Sequence, residues 1–439
     1  PLLRAESGSG RLRQSDMPRS VAAVLALLLA AAAGAAACLM PAGGLTAEDE
    51  RRETVQTRPR PDLDPLGFRL GSFLLYPALT LGLEFDDNVF RTERDRDADL
   101  IARIVPRFRL QSDWNNHALE IAGNVDAGLH AFEEREDYTD AALGLAGRID
   151  VQRATRLFGG AQFEHLHEDR GAPDAQLGAE PTRFNRASAN FGISQRFNRL
   201  SLTGEGRYVN LNYSDVPAAG GGSINNDDRD RDIYLLALRA GYEILPGFEP
   251  FVRGSYNRRD YDARRDDFGI DRDSQGYEMA VGTQIDLTGV TFGEAYVGYR
   301  GQAYDDRSLD SITGLAMGAR LTANVTPLTT VQLAADRDIE ETNLFAAEGF
   351  WATSVRASVD HELLRNLILS GGLGYAWYDY RGADRDDDSL RATLAANYLM
   401  SRYLTIGIAY DFEWRESHGA AAGTDYTANR ILLKITGHP

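Results

Sequence analysis

Few residues of this chain have the types and spacing that chemistry requires. His165 and His167 stand two apart beside Glu164, Glu168 and Asp169, an arrangement from which a metal pair could be built. The chain has only seven His and one Cys, however, and no further His clusters nearby to complete a site. Acidic runs at Asp95, Asp97 and Asp99, at Asp228, Asp230 and Asp232, and at Asp384 and Asp386–Asp388 suggest calcium. None has the Gly and Glu spacing of an EF-hand loop, and Arg96, Arg229, Arg231 and Arg385 interleave with them. A Ser–His–Asp set would have to be gathered from scattered residues without a G-x-S-x-G turn. The sequence therefore predicts no enzyme, no cofactor and no metal centre.

What the chain has in quantity is charge placed in regular alternation. Leu119, Ile121, Val125, Ala127 and Leu129 share one parity, against Glu120, Asn124, Asp126 and His130 on the other. The stretches 315–325 and 404–414 repeat the pattern. Successive side chains of a strand point to opposite faces, so each such segment has one apolar and one polar face. From about Gly71 no helical period persists beyond two turns. Tight turns near Asn115-Asn116, Ala154-Thr155, Asn198-Arg199, Pro246-Gly247, Thr288-Gly289, Thr326-Pro327, Arg365-Asn366 and Ser401-Arg402 alternate with longer charged or Gly-rich loops. About 18 strands result, with all the long loops at one end. That asymmetry belongs to outer-membrane barrels, and strands of about 12–14 residues are long enough to cross a tilted membrane path. A soluble propeller shares the repeat period but uses shorter strands.

The predicted fold is all-β: a transmembrane antiparallel up-and-down β-barrel over 69–437. Closure follows from the membrane, since an open sheet edge in lipid leaves backbone groups unpaired. If apolar parity faces lipid, the lumen is lined by Arg103, Arg107, Arg109, Glu120, Asp126, Arg148, Arg253, Glu278, Asp286, Glu294, Arg300, Arg320, Arg356, Arg391 and Glu413. Both signs are interspersed and no ring of one sign stands out, so no strong ion selectivity is expected. Aromatic residues near segment ends, among them Phe73, Tyr76, Trp114, Trp351 and Trp414, would supply interfacial girdles.

Composition agrees. With 47 basic against 65 acidic side chains the net charge is −18, which disfavours nucleic acid as a partner. A mean hydropathy of −0.35 excludes a helical membrane bundle but not a barrel, whose lumen-facing parity is polar. Residues 1–16 carry no element signal and read as an upstream or non-native segment. Met17-Pro18-Arg19-Ser20 and the apolar run Val21 to Ala37 read as a secretory signal over 17–47, cleaved after Ala47, with lipidation of Cys38 as the alternative. Residues 48–68, rich in Arg and Pro, are expected to be a disordered periplasmic lead-in.

Several segments together resemble the beta-barrel porin type 2 family of Gram-negative outer-membrane proteins. They include Gly67-Phe-Arg-Leu-Gly-Ser-Phe-Leu-Leu-Tyr-Pro77, Asp86-Asp-Asn-Val-Phe90, Leu166-His-Glu-Asp-Arg170, Phe197-Asn-Arg-Leu-Ser-Leu202, Asn225-Asn-Asp-Asp-Arg-Asp230 and Val325-Thr-Pro-Leu-Thr-Thr330. The resemblance implies an outer-membrane location and a porin-like barrel; relatives found beside exopolysaccharide or capsule genes suggest polymer export. One departure is the ending Ile435-Thr-Gly-His-Pro439, where such barrels commonly close on an aromatic residue. The expectation is a water-filled channel for polar solutes with both termini periplasmic, with an outer-membrane role in polysaccharide export as one form of it. Its partners would be outer-membrane lipid and lipopolysaccharide, the barrel-assembly machinery and, for export, a periplasmic component. The alternative is a structural or surface-interaction barrel with a blocked lumen.

Overall fold

The computed structural model describes residues 53–439 apart from 176, 177, 288 and 346. The expected upstream segment and secretory signal, with Cys38, lie outside the described residues. Eighteen long strands follow one another as a meander. They are β1 (Phe73–Asp86), β2 (Asp99–Ser112), β3 (Ala118–His130), β4 (Tyr138–Gln152), β5 (Thr155–His167) and β6 (Arg183–Phe197). Next come β7 (Leu200–Tyr213), β8 (Arg231–Tyr242), β9 (Phe248–Tyr261), β10 (Ser274–Leu287), β11 (Thr291–Tyr304) and β12 (Ile312–Thr326). The last are β13 (Thr329–Glu340), β14 (Gly349–Leu364), β15 (Leu367–Arg381), β16 (Asp386–Ser401), β17 (Leu404–His418) and β18 (Tyr426–Gly437).

Each strand pairs antiparallel with the next, and β18 returns to β1 from Leu79↔Gly437 to Asp86↔Arg430, which closes the cylinder. Phe68–Leu70 doubles back on the start of β1, pairing Phe68 with Leu75 and Leu70 with Phe73. Strand lengths of 12–16 residues reach or pass the expected 12–14 and exceed the 9–11 needed to cross a bilayer.

The turn chemistry explains why the short end is short. Phe197 pairs with Leu200 across Asn198-Arg199, and Asn198 takes φ 55°, the left-handed conformation that tight hairpins demand and Asn tolerates. Leu364↔Leu367 and Ser401↔Leu404 close similarly, each beside a register shift that adds local twist.

Burial separates the two faces. Leu79, Leu81, Leu83 and Phe85 of β1 are all exposed, as are Leu143, Leu145, Ile149 and Val151 of β4 and Ile431, Leu433 and Ile435 of β18. The alternate positions hold polar and charged groups, several of them almost fully covered. A soluble protein would bury such leucines; here they form a continuous apolar belt on the outside, and the charges point inward.

Two aromatic residues depart from the girdle expectation. Trp351 is buried against Ile312 and Ile339, with Tyr304 packed on that cluster. Tyr76 sits beneath Arg109, whose guanidinium lies 5.1 Å from the ring centroid, so it faces the inside. Tyr76 occupies the inner parity of β1, opposite Arg109 in register.

The lead-in also departs from expectation. Residues 53–66 are folded against the inner face of β12–β15 at the short-turn end. Val55 N–H donates to Thr330 Oγ1 (2.9 Å), Gln56 Nε2 to Asp360 Oδ1 (2.8 Å), and Arg60 pairs with Glu362 (2.8 Å). Its polar composition, which reads as unstructured in isolation, finds matching polar partners on the wall.

Candidate functional site: the lumen and its constriction

Parity places the fifteen predicted lumen residues on the inner face, away from the exposed apolar positions of their own strands. Five of them, Arg253, Glu278, Arg300, Arg391 and Glu413, lie in clusters in which one carboxylate holds several arginines. Glu278 bridges Arg253 (2.6 Å) and Arg300 (2.5 Å) across β9, β10 and β11, because Glu278 and Arg300 are register partners and Arg253 is diagonal to them. Arg300 reaches Asp338 as well. Arg103 joins Glu84 (2.9 Å) to Asp126. Glu413 collects Arg430 (2.5 Å), Arg391 and Arg91 (3.2 Å), the last also held by Asp86 at 2.9 Å. Arg148 pairs with Asp150 at 3.2 Å, Arg356 with Asp336 at 3.4 Å, and Glu294 with Arg239 at 3.5 Å. The Asp286 carboxylate accepts from Gly289 N–H in the turn after β10. Glu120 is buried on β3, and Arg320 and Arg107 are exposed to the interior.

Loop 168–182 does not stay at the rim. Residues 169–175 cross from β5 to the wall built by β15–β18. Pro173 carbonyl accepts from Arg385 NH2 (2.7 Å) and Arg415 NH2 (3.3 Å), and Ala172 carbonyl from Arg415 NH1 (3.3 Å). Tyr380 hydroxyl donates to Asp174 Oδ1 (3.0 Å), and Asn343 Nδ2 to the Asp174 carbonyl (3.2 Å). Gly171 lies so close to Tyr426 that a Cβ there would stand 2.3 Å from the hydroxyl, so a larger residue requires the Tyr426 ring or the loop to shift.

The far wall is prepared for this contact. Arg385 (2.7 Å) and Arg415 (2.5 Å) are both held on the fully covered Asp387 carboxylate, which also accepts from Ser417. At the near end Arg229 pairs with Glu168 and Arg170 with Glu136, each at 2.5 Å. Burial would push the Asp169 carboxyl up, but the nearby positive charges of Arg91 and Arg430 and the Gly171 N–H bring it down to about 2. Asp174 is raised by the same burial, which its hydrogen bonds and Arg385 only partly offset.

The histidines show no metal geometry. His165 meets Asn185, and His167 pairs with Asp140; among the described residues no group of three or more ligating side chains forms. Loop 169–175 and the lead-in are the functional elements that sequence reasoning missed. The Gly-Ala-Pro of 171–173 is the only local signal, and it marks a turn without showing which way the loop folds.

A closed, antiparallel, up-and-down barrel with an apolar belt outside and charge inside defines an outer-membrane barrel protein of porin type. The family described as "Putative beta-barrel porin 2" matches residues 60–438, and the chain belongs to it. Among solved structures it is similar to OpdO of Pseudomonas aeruginosa, at 15% identity over 83% of this chain and 97% of that one, with a TM-score of 0.42. It is similar to OccK2 (OpdF) of the same organism at 12% identity, 83% and 98% coverage and a TM-score of 0.44. The siderophore receptor PirA, also from Pseudomonas aeruginosa, gives 9%, 83% and 80% coverage, and 0.42. No curated protein matches.

Proposed function

We propose that this barrel is a water-filled channel for polar solutes in the bacterial outer membrane, with both termini on the periplasmic side. The observation that carries the reading is the inner wall, where charged side chains of both signs recur on strand after strand among the described residues. An eighteen-strand cylinder is wide enough to leave an aqueous path, and loop 169–175 narrows that path without the mass of a plug domain. The short turns would face the periplasm and the long loops the exterior, as in other barrels of this type. A secretory signal over 17–47, delivery by the barrel-assembly machinery and contact with lipopolysaccharide fit that placement. Export of polysaccharide with a periplasmic partner is the finer form of the proposal, supported by the resemblance noted in the sequence.

Single-channel recording of the mature chain in planar bilayers tests the reading. Steady conductance steps are expected. A folded barrel that stays silent would overturn it in favour of a structural barrel, a reading favoured by the two segments that enter the lumen from opposite ends.

A further inference from the structure

On one arc of the lumen, near the short-turn mouth, three cations stand together without the carboxylates that most inner arginines have. Arg107 and Arg109 on β2 and Lys434 on β18 point inward, and among the described residues none of the three has a carboxylate within 4.0 Å. The nearest acids are already committed: Glu84 and Asp126 hold Arg103, and Asp411 accepts from Thr393 Oγ1 at 2.5 Å. Glu120, on β3 and diagonal to Arg109, lies beyond ion-pair distance.

The strand between the cations is small. Lys434 and Arg103 share the register row of Gly82, Arg107 that of Ala78, and Thr80 pairs with Thr436 between those rows. Adjacent strands lie about 4.8 Å apart, so β2 and β18 flank a trough about 10 Å wide whose floor on β1 is Ala78 and Thr80, with the Leu432 side chain standing over Gly82. Arg109 is fixed over the Tyr76 ring, which orients it without cancelling its charge. Arg107 also acts on His438, whose pKa is lowered first by burial and then by that guanidinium.

We propose that Arg107, Arg109 and Lys434 form an anion-binding station in the lumen, accepting solutes that carry phosphate or carboxylate groups. This rests on the channel reading and supplies its substrate class. An unpaired cationic arc against a low-dielectric wall concentrates anions in the path, although the chain as a whole carries −18. It also departs from the weak selectivity that interspersed charges imply, because most inner arginines are held by carboxylates and here three cations stand together without one.

Two measurements separate this inference from the channel reading. In bilayers under a potassium chloride gradient, the reversal potential is expected to show several-fold preference for chloride. The combined Arg107→Gln, Arg109→Gln and Lys434→Gln variant should bring it to unity or below, while Arg107→Lys with Arg109→Lys should retain it. Calorimetric titration of the detergent-folded full mature chain with inorganic phosphate at constant ionic strength is expected to saturate, and to lose saturation in the triple Gln variant. Phosphate binding by an electrically silent barrel would uphold the station and remove the channel. Conduction without chloride preference, or preference unchanged in the triple Gln variant, would overturn the station and leave the channel standing.

Discussion

Two parts of the same inner wall treat positive charge in opposite ways. Toward the long loops, arginines are bound in twos and threes to covered carboxylates, as at Glu413 and Asp387. Toward the short turns, on β2 and β18, Arg107 and Arg109 are exposed and Lys434 is half-buried, none with a carboxylate partner among the described residues. A buried carboxylate that holds several guanidiniums fixes geometry, since removing it strands charges already taken out of water. An unpaired cation on a wetted wall fixes nothing and stays available to a solute. The long-loop half is therefore built to hold shape, and the short-turn arc to meet what passes.

The largest effect should come from Glu413→Gln, which removes the carboxylate shared by Arg91, Arg391 and Arg430. Losing one partner of a buried cluster costs about 3–5 kcal/mol, and urea unfolding of the barrel in lipid vesicles should shift downward accordingly. Asp387→Asn should come next, at roughly 2–3 kcal/mol. Because Arg385 and Arg415 hold loop 169–175, it should also widen the path and raise single-channel conductance. A stable variant with unchanged conductance would show that the loop does not narrow the pore.

Acid supplies a third break. The Asp169 carboxyl is held at about 2, below its unfolded value near 3.8, so its contribution is present above pH 4 and is lost as pH falls from about 4 to 2. Asp174 works in the reverse sense, since its raised carboxyl favours the protonated form at the low end of pH. A spin label at Ala172 is expected to become mobile below pH 4 in the natural chain, as Asp169 is protonated. In Asp169→Asn that change should disappear. The smallest effect is Arg107→Gln, within about 0.5 kcal/mol in the same urea assay, because among the described residues its side chain makes no ion pair. A large loss there would reveal a hidden partner and erase the contrast between the two regions.

The strands and turns were legible because lipid outside and water inside impose a period of two on every crossing, and because residues such as Asn198 announce a tight hairpin. Inner positions such as Glu278 and Arg300 followed from parity alone. Their clustering did not, since it depends on register: Glu413 meets Arg430 and Arg391 through neighbouring strands, and Arg91 from a loop more than three hundred residues away. Loop 169–175 and the lead-in were missed for the same reason. Both are polar, and polarity in a segment does not say whether it faces bulk water or a polar wall. Tyr76 and Trp351 were misassigned to girdles because an aromatic residue near a strand end satisfies either face.

The join between β18 and β1 is shorter than its neighbours: eight register pairs, against fourteen between β1 and β2. β18 leaves the first residues of β1 uncovered, and Phe68–Leu70 folds back to occupy that gap. A bare half-edge would invite a foreign strand. The chain thus carries its own seal for the last stretch of the zipper, which makes this joint the natural place for the cylinder to open and shut while it is being inserted.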